Sequence, residues 1–312
     1  MGIVGDGRHY RAVSERLASE SQRLSGAIPD VLYHYTGAEG LLGIVRDRGI
    51  FLTDSRFLND ASENTFGRRA FIAGLQRFLA HEADPKRREV VEFAIERITN
   101  RLAGTPPEHS GPGHFYVASF CQDGNLLSQW RAYGGSQSAG CSIGFASKRL
   151  VGGHRFPGQA PAVSFPAVYL QKVLYEIDVQ TDFIDSAIRA CFELSPTSDS
   201  LFYLRLRLAE DVPNIISPQI KAPVFKSEQE WRLVCLHGHD VRVRSGPRGL
   251  VPYMLCTYPD THEPFGVNLP IVEICQGPSE RASLHATAVG ELLRINRMKH
   301  VRVGLSEIPL RD

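Results

Sequence analysis

Hydrophobic positions along the chain switch between two periods, and the switches mark its elements. After a polar amphipathic stretch over residues 1–28, VLYHY (31–35) has the β-branched and aromatic content of a short strand. AEGLLGIVRDRG then places Leu41, Leu42, Ile44 and Val45 at helical spacing and closes on Gly49, a residue type favoured just past a helix end, before the extended IFLTD. From Asp60 to Leu79 and from Pro85 to Leu102 apolar residues recur at three and four, which predicts a helical hairpin. The Gly/Pro-rich 104–114 reads as a loop, and HFYVASFCQ as a strand. A short helical turn carries LLSQWRAYG, and AGCSIGFA and VYLQKVLYEID read as strands. Helices are expected near 181–194, 199–216 and 279–297, and strands in KSEQEWRLVCLH, DVRVRSG, LPIVEICQG and HVRVGLSE.

No regular βα alternation and no repeat is visible, which argues against doubly wound and barrel folds. The pattern predicts an α+β protein: a helical leader over 1–28, then a single domain over 29–312 built on a split or antiparallel mixed β-sheet, with helical insertions near 60–102 and 181–216.

Composition narrows the function classes little. Lys+Arg 35 against Asp+Glu 34 leaves a net charge of +1, so no nucleic-acid or membrane partner is demanded. No run reaches the roughly 18 apolar residues of a membrane span, and Asp6, Arg8, His9 and Arg11 occupy the place of a signal peptide's apolar segment. A cytoplasmic protein is expected. Six cysteines without a CxxC pair read as reduced, mostly buried thiols, and no metal site is expected.

Common nucleotide-binding and hydrolase motifs are absent, and four polar clusters remain. The first is Tyr33-His34-Tyr35-Thr36, where a strand histidine serves equally as a hydrogen-bonded core residue. In the second, Ser119 and Cys121 precede Gln129-Trp130-Arg131-Ala132-Tyr133. Its aromatics, three apart on a helical turn, also suit a pair packed on the sheet. The third, Lys226 to Arg232, puts Glu228 and Glu230 on one face of an expected strand. The fourth, Asn59-Asp60-Ala61-Ser62-Glu63, has the form of a helix cap. Lys86-Arg87-Arg88 and Arg242, Arg244 and Arg248 read as solvated charged faces rather than phosphate contacts.

The succession LYHYT, FLNDASE, ASFCQDGNLLSQWRAYG with AGCSIGF, FKSEQEWRLV, VEICQGP and VRVGLSEIP resembles a bacterial family of unknown function associated with abortive-infection phage defence. The opening LYHYTGAEGLLGIVRDRGIFLT further resembles the first strand, helix and strand of the ADP-ribosyltransferase superfamily, in its His-Tyr-Glu type. That resemblance implies an ADP-ribosyltransferase-like fold and NAD as co-substrate. It implies His34 on a ribose hydroxyl with Tyr35, Thr36 and Ser119 beside it, and Tyr133 or Trp130 against the nicotinamide. It also implies Glu230 as the catalytic carboxylate, with Glu228, Asn59 and Asp60 toward the acceptor. Tyr35 stands where polymerase-type members carry Gly.

Cleaving the nicotinamide bond passes through an oxocarbenium-like cation, which a carboxylate stabilises chiefly in the transition state. The leaving group is already a pyridinium and needs no proton. The expected function is therefore ADP-ribosyl transfer to a protein or nucleic-acid acceptor, or NAD hydrolysis, by a toxin or effector of phage defence with a cognate antitoxin as candidate partner. Two rivals stand beside it: a catalytically inert sensor or interaction protein, and a nuclease holding Mg²⁺ on Asp60, Glu63, Glu228 and Glu230.

Overall fold

The computed structural model describes residues 7–58, 61–104, 115–133, 140–152, 168–195, 197–236, 240–246, 249–258 and 269–309. In chain order its elements are α1 (Gly7–Ser25), β1 (Val31–Thr36), α2 (Ala38–Asp47), β2 (Gly49–Asp54), α3 (Ala61–His81), α4 (Pro85–Leu102), β3 (Tyr116–Cys121), α5 (Leu127–Tyr133), β4 (Cys141–Ala146), α6 (Ser147–Gly152) and β5 (Val168–Lys172). There follow α7 (Ile177–Glu193), α8 (Ser198–Ile216), β6 (Glu230–Cys235), β7 (Arg242–Gly246), β8 (Gly249–Thr257), β9 (Ile271–Gln276), α9 (Ala282–Ile295) and β10 (Arg302–Leu305). The class is α+β, a mixed sheet with inserted helices. Among the described residues no helix is long and apolar enough to cross a membrane.

Contacts divide the chain into two compact units. The first, residues 1–26, 55–115 and 171–227, is helical. The 1–28 leader and both expected insertions come together in it: Leu17 of α1, Phe71 and Leu75 of α3, Ile98 of α4, Ile188 of α7 and Leu208 of α8 share one core. Local chemistry explains the helix starts. Asp84 accepts a hydrogen bond from the Lys86 amide with Pro85 at the first helical position, and Thr197 and Ser200 form a reciprocal capping box.

The second unit, residues 27–54, 116–170 and 228–312, holds the sheet. Strand order is β10-β9-β4-β1-β3-β2-β8-β7, with β6 also on β3 and β5 on β6. Of the pairs with a described register, β10–β9 is parallel and the others antiparallel. One face is apolar, with Leu32, Ile50, Phe120, Ile143, Trp231 and Met254 packed in a single cluster that α2 joins through Leu41, Ile44 and Val45.

Two readings of the sequence shift. The left-handed residue closing α2 is Arg48 (φ 51°), not Gly49. Gly49 is required for a different reason, since a Cβ there would lie 2.7 Å from the Cys256 carbonyl oxygen. Strand β8 was not among the expected strands; it contains Pro252 and pairs with both β2 and β7.

Strand β3 has three partners, and this creates the main irregularity of the sheet. β6 pairs along all six residues of one edge, from Tyr116↔Cys235 to Cys121↔Glu230. The opposite edge is therefore shared. β1 holds its end at Tyr33↔Cys121, while β2 holds its start at Thr53↔Val117 and Asp54↔Tyr116. The sheet forks there, and residues 118–120 face the gap between the branches.

Candidate functional site

His34 lies in this fork. Strand alternation starts its side chain from the face of Leu32, and its β4 partner is Ile143. The half-buried ring lies 5.8 Å from Phe120, and Nδ1 is 2.9 Å from the Ser119 carbonyl oxygen. That oxygen belongs to the stretch of β3 that pairs with β6 but has no partner in the described registers of β1 and β2. A carbonyl can only accept, so Nδ1 carries the proton and donates. Nε2 has no hydrogen-bond partner among the described residues. Burial pushes the imidazole's pKa down, against the pull of the Ser119 carbonyl, and the nearby positive charge of Arg244 adds to the lowering. The group is thus a neutral imidazole with its acceptor nitrogen open.

Glu230 begins β6. It is 4% exposed, and Arg232 two residues on binds both of its oxygens, Nε at 2.8 Å and Nη2 at 2.9 Å. By register Glu230 shares its face with Cys121 and Tyr33, and Arg232 shares that face with Ser119. His34 starts from the other face. A single face carrying both His34 and Glu230 is therefore not what the alternation yields. The two strands do flank β3 on either side, which sets their backbones roughly 10 Å apart.

Glu228 is not on the strand. It ends a 3₁₀ turn over Pro223–Glu228, and Gln229 turns the chain through φ 45° before β6 starts. The strand expected from Lys226 onward is shorter because that left-handed residue breaks the extended run. With it goes the expected same-face pairing of Glu228 and Glu230.

The aromatic residues are occupied in the fold. Tyr35 is 4% exposed; its hydroxyl donates to the Asp123 carbonyl at 2.9 Å and accepts from the Leu126 amide at 2.8 Å. Trp130 is 5% exposed, meets Tyr35 edge to face at 4.8 Å, and donates through Nε1 to Asn125 Oδ1 at 3.0 Å. Together they brace the 123–126 turn, to which Ser142 adds a bond to the Gly124 carbonyl. Trp130 and Tyr35, expected at the nicotinamide and the cofactor, are both packed against this turn. Thr36 closes β1 opposite Cys141 and abuts Gly40 of α2, where a Cβ would meet its hydroxyl. Tyr133 ends α5, but its side chain lies outside the described residues, as do Asn59, Asp60 and the side chain of Glu63.

Two residues that sequence reading undervalued lie at the other branch. Arg244 of β7 donates from Nη2 to Thr53 Oγ1 at 3.1 Å and sits 5.9 Å from the centre of the Phe51 ring. Its Nε is buried without a hydrogen-bond partner, and burial lowers its pKa. The alternation of DVRVRSG put Arg242 and Arg244 on one face, but only Arg242 behaves as a solvated charge, paired with Asp240 at 2.8 Å. The cysteines are free thiols, five buried and Cys275 partly so. Among the described residues no group of three or more His, Cys, Asp or Glu is placed to hold a metal ion.

A family model described as a protein of unknown function (DUF2971) matches residues 129–233, which include Trp130, Tyr133, Glu228 and Glu230. No curated protein and no solved structure matches the chain.

Proposed function

We propose that the chain is an ADP-ribosyltransferase-like protein that takes NAD as co-substrate at the fork of its sheet. The observation that carries this reading is His34, neutral and fixed by the Ser119 carbonyl, with Nε2 open to accept a hydrogen bond from a ribose hydroxyl. The His34 and Glu230 strands flank Ser119 on either side, with the two side chains starting from opposite faces of the sheet. In the reaction the bond from ribose C1′ to the nicotinamide nitrogen breaks, and its electron pair returns to the pyridinium ring. The Glu230 carboxylate stabilises the cation at C1′. An acceptor oxygen or nitrogen, or water, then bonds to C1′ and gives up its proton. An effector role in phage defence, on a macromolecular acceptor and with an antitoxin, rests on the resemblance of the six sequence segments alone.

A second reading, a catalytically inert binding protein, is favoured by one feature: Arg232 already holds both Glu230 oxygens. Purified protein incubated with NAD separates the two. We expect nicotinamide release, and ADP-ribose attached to macromolecules, to fall by orders of magnitude in Glu230→Gln while NAD still raises its melting temperature. NAD stabilisation without turnover in either form establishes the inert reading. Neither stabilisation nor release by wild type removes NAD from the account.

A further inference from the structure

We propose that Arg244 and Thr53 form a phosphate seat at the β2 branch of the fork, on the sheet face that also carries Glu230, where they bind the pyrophosphate of NAD. The inference rests on the proposed function and names how the same site holds the charged half of its co-substrate.

Arg244 is a cation that the fold leaves unmatched. Arg244 is half-buried, yet no carboxylate lies within salt-bridge distance among the described residues, and its contacts are a hydroxyl and one aromatic ring. Its neighbour Arg242 and, across the sheet, Arg232 both have carboxylate partners. A buried guanidinium donor without an acceptor is a standing loss that an oxyanion removes. Guanidinium geometry matches phosphate oxygens two at a time. Thr53 adds to the seat: its oxygen accepts from Arg244, which leaves its own proton to donate to a second phosphate oxygen.

By register Thr53 and Arg244 lie on the face of Val117, Ser119 and Glu230, opposite the one from which His34 starts. Thr53 pairs with Val117, two residues along β3 from the Ser119 carbonyl that His34 reaches at the fork. Two residues of strand span roughly 7 Å, the reach of a nucleotide from a sugar hydroxyl to its 5′-phosphorus. The charge of Arg244 is felt at His34, so the two branches share one electrostatic neighbourhood that favours an anion.

Three probes test the seat by calorimetry: ADP-ribose, inorganic pyrophosphate and nicotinamide riboside, which lacks the pyrophosphate. Arg244→Gln should weaken ADP-ribose and pyrophosphate by about 10- to 100-fold, in line with a charge-assisted pair, and leave nicotinamide riboside unchanged. Arg244→Lys should recover only part, since an ammonium cannot bond two oxygens in a fork. Thr53→Val should weaken the same two ligands less and, with Arg244→Lys, carries the test if Arg244→Gln does not fold. Equal binding of ADP-ribose by wild type and these variants overturns the proposal, as does failure of wild type to bind either pyrophosphate or ADP-ribose. Arg244-dependent binding of pyrophosphate without any binding of NAD or nicotinamide riboside upholds the seat and removes the NAD reading instead.

Discussion

Arg205 in the helical unit and Arg244 in the sheet unit are both cations with no carboxylate partner among the described residues, and each buries an unbonded Nε. Their surroundings differ. Arg205 is sandwiched, with Phe202 at 4.2 Å and Phe93 at 5.2 Å from its guanidinium carbon, so two ring faces meet its charge. Arg244 has one ring at 5.9 Å and a hydroxyl. Elsewhere in the helical unit Glu210 takes both Arg97 and Arg101, and Arg77 takes Asp185. At the fork, by contrast, His34 and Arg244 present polar atoms that the fold leaves unmatched. An unmatched cation flanked by two rings is a packing element; Arg244, with one ring and a hydroxyl, is the position proposed to take an anion.

The largest effect expected from this contrast concerns ion pairs. Arg232→Met strands the Glu230 carboxylate in the sheet and should cost about 3–5 kcal/mol in urea unfolding. Arg77→Met breaks a half-exposed pair and should cost less than about 1 kcal/mol. Comparable losses would show that the two units do not differ in how they treat charge.

Next in size are the aromatics beside the fork. Trp130→Ala should cost about 3–5 kcal/mol, and Tyr35→Phe, which orphans the Leu126 amide, about 1–3 kcal/mol. Neither the Tyr35→Phe variant nor a folded Trp130→Phe variant should change NAD affinity by more than about twofold. A tenfold loss in either would return these rings to the ligand site.

Acid should act on the units in opposite directions. Burial raises the carboxyl of Asp211 in α8 to about 6, partly offset by Arg207. Its folded pKa thus exceeds its unfolded value, so its ionisation penalises folding fully above pH ~6, and the penalty fades as pH falls toward ~4. Asp211→Asn should therefore stabilise by about 1–3 kcal/mol at pH 7 and by little at pH 4. His34 has the reverse sign. Its folded pKa is depressed, so its contribution is present above the unfolded value near 6.5 and is lost as pH falls through the folded one. Hydrogen exchange at pH 7 and pH 5 should show protection in α8 holding or rising while that of β1 falls. The same change in both would break the contrast.

Local periodicity carried much of the architecture. The bounds Pro85–Leu102 are those read from apolar spacing, and α7, α8 and α9 each fall within a few residues of expectation. His34 and Glu230 were also legible as strand residues. The fork was not, because it depends on which distant strands share one edge of β3, and nothing in YVASFC records that β1 takes one end and β2 the other. Glu228 was misplaced for a local reason: Gln229 adopts a left-handed conformation that its residue type does not announce. The Arg232 grip on Glu230 was visible only as E-x-R alternation, a pattern equally suited to an exposed edge. Arg244 was undervalued because an R-x-R strand looks solvated until its burial is known.

The central claim is that His34 presents an open Nε2 to a ribose hydroxyl. Nitrogen NMR of ¹⁵N-histidine protein at pH 7, with His34→Gln to assign the resonance, tests it directly. The free protein should show His34 as the neutral Nδ1–H tautomer. Adding NAD should move the Nε2 signal toward that of a hydrogen-bonded acceptor while Nδ1 stays protonated. An Nε2–H tautomer in the free protein, or an Nε2 signal that saturating NAD leaves in place, would contradict the account.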